Sequence, residues 1–204
     1  MMFIASFLTV SLASFAFGAP TFLLPCSAIS GTPCRCPIGT DYSESVTTSV
    51  IGATVRDVGR LMNDFFNTSW SGVETDSTLG FDNIPLASIR QIRLPTLVGT
   101  YEMSQLLTSR SVLPDGSFTQ DYQQLQGRIP YLSGNGSFSG FWGTIQGTRI
   151  FANETLVRFS NYACQTGHVQ ADFAAAHESA LANATRILAA AGKIYGISAD
   201  PISA

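Results

Sequence analysis

In this chain of 204 residues the segment that most limits the possible folds is His168 to Ile194. Its apolar residues stand at Val169, Phe173, Ala176, Ala180, Ala184, Ile187, Ala191 and Ile194, three or four apart throughout. An α-helix turns once in about 3.6 residues, so this spacing is one helix face. No proline interrupts the run, and alanine, the best helix former, fills much of it. Gly167 and Gly196 bracket it, where a chain leaves a helix at little cost. At ~1.5 Å per residue the helix would extend roughly 40 Å. One apolar stripe needs a surface to cover it. A curved sheet wrapped around a helix lined with alanine would leave room for a ligand between the two.

The upstream chain supplies strands for such a sheet. Tyr42 to Ile51, rich in Val, Thr and Ser, reads as the first. Thr54 is placed to cap a short helix with Val55, Val58, Leu61, Met62 and Phe65 at helical spacing. Asn63 to Trp70 then turns back. Further strands are expected over Gly72–Leu79, Ala87–Leu94, Gly99–Ser109, Ser117–Gln126, Phe138–Ile145 and Thr155–Cys164. Pro95 is expected to end the third of the seven, and Pro114-Asp115-Gly116 is a turn signal. A loop through Gln146 to Glu154 joins the last two. Short connections rich in Gly, Pro and Asn imply antiparallel pairing. The fold class is therefore α+β. A seven-stranded curved antiparallel sheet grips a long C-terminal helix, with a short helical hairpin after the first strand.

The ends of the chain read differently. Phe3 to Phe17 is apolar apart from Ser and Thr, too short for a bilayer, and is followed by small residues. This fits a signal peptide over 1–18, cleaved before Ala19, and predicts a secreted protein with no stable membrane span. A Cys- and Pro-rich arm covers 19–41, and 197–204 reads as a tail. The four cysteines are Cys26, Cys34, Cys36 and Cys164. Cys34 and Cys36 are too close to bond each other without strain, so one is expected on Cys26 and the other on Cys164. An oxidising compartment favours such bridges. Four glycosylation acceptors, Asn67, Asn135, Asn153 and Asn183, agree with export.

Only 12% of residues are charged, the net charge is −3, and no basic run exists for phosphates, which argues against a nucleic-acid partner. The two histidines, His168 and His177, lie on the terminal segment, and no His-Glu-x-x-His pattern occurs. Neither a Gly-x-Ser-x-Gly elbow nor a Gly-rich phosphate loop is present. No metal and no cofactor is expected.

The order of elements resembles the helix-grip superfamily, which includes birch-pollen-allergen-like proteins, START lipid-transfer domains, polyketide cyclases and plant hormone receptors (SRPBCC-type). The residues carrying the resemblance begin with Ser49-Val50-Ile51-Gly52-Ala53-Thr54-Val55-Arg56-Asp57-Val58, Asn63-Asp64-Phe65 and Trp70. Ala87-Ser88-Ile89-Arg90-Gln91-Ile92 is similar to the family's Gly-x-x-Arg-x-hydrophobic strand. Thr155-Leu156-Val157-Arg158-Phe159 is similar to its last strand, where Trp is commoner than Phe159. Glu102-Met103 stands where Glu is usually followed by a basic residue.

The resemblance implies a ligand-binding domain over 42–196, with an apolar cavity between sheet and helix. It also makes the first and last strands neighbours, which brings the arm to Cys164 and favours Cys34 or Cys36 as its partner. Alternation within the strands then points Phe118, Tyr122, Phe159 and Asn161 at the cavity, with Trp142 a weaker choice against Phe141. The helix would contribute Phe173, Ala176 and Ala180. By resemblance Glu102 points inward, and Arg90 is placed to pair with it or with an anionic ligand. Pro95 to Gly99 lies where hormone receptors of this type carry a gating loop. The implied function is binding of an apolar small molecule, such as a lipid, sterol or aromatic metabolite. The alternative is a polyketide-cyclase-like cyclase or isomerase using Glu102, Tyr122 or His177 as acid or base. A third is a secreted effector or defence-type protein with a protein partner whose identity the sequence leaves open.

Overall fold

The computed structural model describes residues 34–96, 99–125, 127–130, 136–167 and 173–204. The expected signal peptide, most of the arm with Cys26, the expected acceptor Asn135, His168 and the centre of the expected gating loop lie outside the described residues.

Nine antiparallel strands form one sheet: β1 (Asp41–Ile51), β2 (Glu74–Gly80), β3 (Ser88–Thr96), β4 (Gly99–Val112), β5 (Phe118–Gln124), β6 (Ile129–Pro130), β7 (Gly136–Phe151), β8 (Glu154–Gly167) and β9 (Ala199–Ser203). Their order is β2-β3-β4-β5-β7-β8-β1-β9, with β6 pairing β7. Two helices, α1 (Val55–Met62) and α2 (Ala174–Ala190), and a 3-10 turn at Ser69–Ser71 complete the fold. Seven strands were expected. The additional two, β6 and β9, are short segments without alternating apolar residues, and each pairs with a strand far off in sequence or across a connection.

Local chemistry explains the first elements. Thr54 has extended backbone, and its side chain accepts the N–H of Asp57, so α1 starts where a cap is available. Val55, Val58 and Met62 form its buried face. β1 pairs with β8 along its whole length, Asp41 to Ile51 against Gln165 to Thr155. Tyr42 lies opposite Cys164, and Cys36 bonds to Cys164 across the same corner. Cys34 is disulfide-bonded as well.

Several boundaries differ from the pattern in the sequence. β3 passes through Pro95 instead of stopping before it, with Pro95 opposite Thr100 of β4. Pairing with β2 ends at Arg93, so the missing proline N–H falls where the strand has a neighbour on one side only. The segment 146–154 is no loop. β7 and β8 continue as a ladder to Phe151 opposite Glu154, leaving Ala152 and Asn153 as an exposed two-residue turn.

The terminal helix is shorter than its stripe. α2 has 17 residues, or about 25 Å of axis. It ends because Gly192 adopts φ 67°, and the N–H of Lys193 closes back on Leu188 O at 2.8 Å. This is a left-handed helix stop, four residues ahead of the Gly196 expected to provide one. Gly196 instead donates its N–H to Gly52 O at 2.9 Å, which steers the tail onto β1 as β9. The buried face is also rotated. His177, Ala180, Leu181, Ala184 and Leu188 are buried, while Ala176 and Ala191 are exposed. Leucine and the histidine ring reach the sheet from positions next to the alanine stripe.

The core lies between the inner face of the sheet and α2. Met103, Leu107, Phe138, Phe141, Ile145 and Val157 come from the sheet, and Phe173, Leu181 and Leu188 from the helix side.

Candidate ligand cavity

A cavity of about 60 Å³ lies between the first turns of α2 and strands β3, β4, β5, β7 and β8. Its wall is mostly apolar: Trp70, Ile92, Phe141, Ile145, Phe159 and Phe173. Half-buried Ser71 and Val73 and exposed Ala176 mark its mouth, where α2 meets the 3-10 turn.

The polar residues of the wall form two groups. Arg90, buried on β3, donates from Nε to Gln105 Oε1 at 2.8 Å and from Nη1 to the carbonyl of Phe65 at 2.6 Å. Its guanidinium carbon lies 4.3 Å from the ring centroid of Phe65 and 4.9 Å from that of Tyr122. Cation–π contact of this kind substitutes only in part for lost water. Burial accordingly pulls the Arg90 pKa down to about 10, against opposing influences of Tyr122 and Asp64. Burial pushes the Tyr122 phenol up to about 12, against the nearby Arg90 charge. Both groups keep their ordinary charge states at neutral pH.

The second group is a chain of three side chains. Tyr122 Oη donates to Asn161 Oδ1 at 3.4 Å, a long bond, and Asn161 Nδ2 meets His177 Nε2 at 2.7 Å. With the amide donating, His177 Nε2 accepts. The His177 ring stacks on Phe159 at 3.9 Å, which holds it against β8.

Tyr122, Phe159, Asn161, Phe173, Ala176, Ala180 and Arg90 all line this space. His177 joins them through the rotated helix face. Three expectations fail. Glu102 is exposed and stands 3.6 Å from Arg93 on the outer face, because the inward positions of β4 are Met103, Gln105 and Leu107. Trp142 stacks on Tyr162 outside the cavity, at 5.0 Å between centroids. A bulge between Phe138 and Gly140 resets the alternation of β7, so that Phe141 faces in. Phe118 is buried but lies over Gly147 and beneath Gly59 of α1, away from the cavity.

Trp70, Thr68, Ser71, Val73, Ile92, Gln105, Phe141 and Ile145 were not chosen as lining residues from the sequence. The Met103-Gln105-Leu107 alternation was the available signal for Gln105. Nothing local marks Thr68 to Val73, which reach the cavity only because α2 packs on that turn.

The remaining glycosylation acceptors differ in access. Asn153 is exposed at the β7–β8 turn. Asn67 is half-buried and accepts from Ser69 N and Oγ. Asn183 sits within α2, not in a turn, and donates to Ser69 O and Trp70 O at 3.3 and 3.0 Å. Among the described residues no helix is long and apolar enough to cross a membrane.

A sequence model of the START domain matches residues 42–204. No curated protein matches the chain. Among solved structures, the protein XoxI from Bacillus cereus superposes with a TM-score of 0.51 at 15% identity, covering 74% of this chain and 98% of that one. Norcoclaurine synthase from Thalictrum flavum, in complex with dopamine and hydroxybenzaldehyde, gives 0.50 at 12% identity, covering 76% and 91%. An uncharacterised protein from Bacillus thuringiensis gives 0.50 at 16%, covering 72% and 99%. At these identities the likeness is one of fold.

Proposed function

The chain belongs to the START-domain family, and from that premise we propose that it is a secreted glycoprotein binding a small apolar molecule in the cavity under α2. The observation that carries this reading is the wall itself. It is an apolar enclosure with a few hydrogen-bonding side chains, the usual plan of a small-molecule site. At about 60 Å³ the space holds roughly four waters. A ring-sized ligand, for which a cavity of about 150 Å³ is the known scale, requires the space to enlarge at the Ser71–Ala176 mouth, and a sterol or long acyl chain requires the first turn of α2 to part from the 3-10 turn. Burying ~150 Å² of ring surface would contribute ~4 kcal/mol before entropy losses. Export is supported by the apolar leader with its small-residue cleavage pattern, the Cys36–Cys164 bridge and the exposed acceptor at Asn153.

Native mass spectrometry of the protein purified from its producing cell tests the reading. A ligand of defined mass, released on denaturation, is the expected result. Repeated isolation without any ligand, together with no uptake from a panel of aromatic metabolites, would refute it.

One observation favours a second reading, a cyclase or isomerase of the polyketide-cyclase kind. The Tyr122–Asn161–His177 chain puts a proton donor and an imidazole on one wall, where a folded reactive substrate would meet both. Glu102 has no part in it. Turnover that disappears in His177→Ala while ligand uptake persists would establish this reading over simple binding.

A further inference from the structure

We infer that the occupant of the cavity is an organic anion, a small ring-bearing carboxylate, phenolate or enolate whose charged oxygen rests against Arg90. The inference rests on the binding role proposed above and narrows the ligand's chemical class.

Among the described residues Arg90 is a buried charge with no carboxylate in ion-pair contact. Arg90 is only 5% exposed. Buried cations are ordinarily paired with acids, because a guanidinium taken out of water loses solvation that neutral acceptors only partly replace. Here both hydrogen-bond acceptors, Gln105 Oε1 and Phe65 O, are neutral, and the two flanking groups are aromatic rings. None of the described ion pairs involves Arg90. Among the described residues, the side chains lining the cavity include no Asp and no Glu. Glu102, the acid best placed by sequence to neutralise it, faces outward beside Arg93. Asp64 acts on Arg90 only through space and is not part of the wall.

A second observation points the same way. The indole N–H of Trp70, in the wall of the same cavity, is buried with no hydrogen-bond partner among the described residues. The cavity wall thus carries a buried cation, with no acid among its described lining residues, set in mostly apolar surface. A neutral ligand leaves the guanidinium uncompensated, and a cationic one meets repulsion across a dry space. An anion supplies the missing charge and makes a charge-assisted hydrogen bond.

Matched probes read this directly in isothermal titration of the full mature protein. Benzoate, benzamide and benzylamine share a ring and differ in charge. Benzoate is expected to bind about tenfold or more tightly than benzamide, the usual worth of a hydrogen bond to a charged group, and benzylamine not to bind. In Arg90→Gln the benzoate affinity should fall to the level of benzamide, with benzamide unchanged. Arg90→Lys should retain the preference for benzoate. A measurement on the unaltered protein guards against a variant that fails to fold. With 4-nitrophenol, added protein should bring up the phenolate absorbance band at a pH below its free midpoint. A shift toward the neutral phenol, or benzamide binding as tightly as benzoate, overturns the anion assignment and leaves the cavity reading standing. Uptake of none of these probes at millimolar concentration overturns both.

Discussion

Removing the Cys36–Cys164 bridge gives the most direct quantitative test of how this fold is held. The two cysteines are 128 residues apart in sequence, so the bond closes nearly the whole domain into one loop. In the chain-entropy treatment a loop of that length costs the unfolded state about 5 kcal/mol at 25 °C, an upper figure because residual structure in the unfolded ensemble lowers it. The double variant Cys36→Ser, Cys164→Ala deletes the link without leaving a buried hydroxyl at fully buried position 164. A smaller loss, of order 1 kcal/mol, comes from the sulfur atom removed from the core at 164. Urea unfolding followed by tryptophan fluorescence should therefore show stability lower by about 3–5 kcal/mol. The m-value should rise, because the unlinked unfolded chain exposes more surface. Cys34, itself disulfide-bonded, is left in place so that only one constraint changes. A loss under about 1 kcal/mol with an unchanged m-value would refute the reasoning, since the link would then not be restricting the unfolded chain at all.

Gly143→Ala tests how the cavity wall is packed. A Cβ there would lie 2.2 Å from Tyr122 Cζ and 2.4 Å from its Oη, so Tyr122 must move toward the cavity. A loss of about 1–3 kcal/mol in urea unfolding, together with loss of probe binding, is expected. Ala180→Leu, on the buried face of α2, should fill the cavity, and calorimetry should show binding abolished while the circular dichroism spectrum is retained. Thr54→Ala should cost about 1 kcal/mol through loss of the cap on Asp57 N, measured as a lower urea midpoint.

The last prediction concerns alkaline pH. Tyr122 has its pKa raised from 10.0 to about 12, so it contributes stability below pH 10 that is lost as pH climbs toward 12. Arg90 has its pKa lowered from 12.5 to about 10, so its unfavourable burial is relieved across much of the same range and opposes that loss. Tyr122→Phe removes the first effect and, with it, the raising influence of the phenol on the Arg90 pKa. Its stability deficit relative to the parent protein should shrink by up to about 3 kcal/mol between pH 9 and pH 12. A constant deficit across unfolding curves at those pH values would contradict the assignment.

Features set by a few neighbouring residues were legible in the sequence. Thr54 starts α1, the Val-, Thr- and Ser-rich run of Tyr42–Ile51 gives β1, and Pro114-Asp115-Gly116 sits between β4 and β5. The order of elements carried the helix-grip resemblance, and that resemblance, with alternation along the strands, pointed to several of the residues that line the cavity. The failures were failures of phase. Glu102 was assigned inward although Met103, Gln105 and Leu107 carry the inward alternation of β4, and Trp142 was preferred although the β7 bulge turns Phe141 inward. The α2 stripe was read one position off, because alanine recurs on both sides of the true buried face and only contact with the sheet selects His177, Leu181 and Leu188.

The sequence alone thus determined what local backbone chemistry can determine: the caps, the turns, the strand succession and the cysteines available to staple the ends. Only the tertiary structure decided which side of each strand is inside. That choice depends on bulges and on partners distant along the chain. It also decided that the tail becomes β9, because a short polar segment gains a strand's hydrogen bonds only where β1 has an open edge. Above all it decided the character of the cavity. The resemblance placed Glu102 inward within reach of Arg90, and folding turns that acid to solvent and leaves the charge inside.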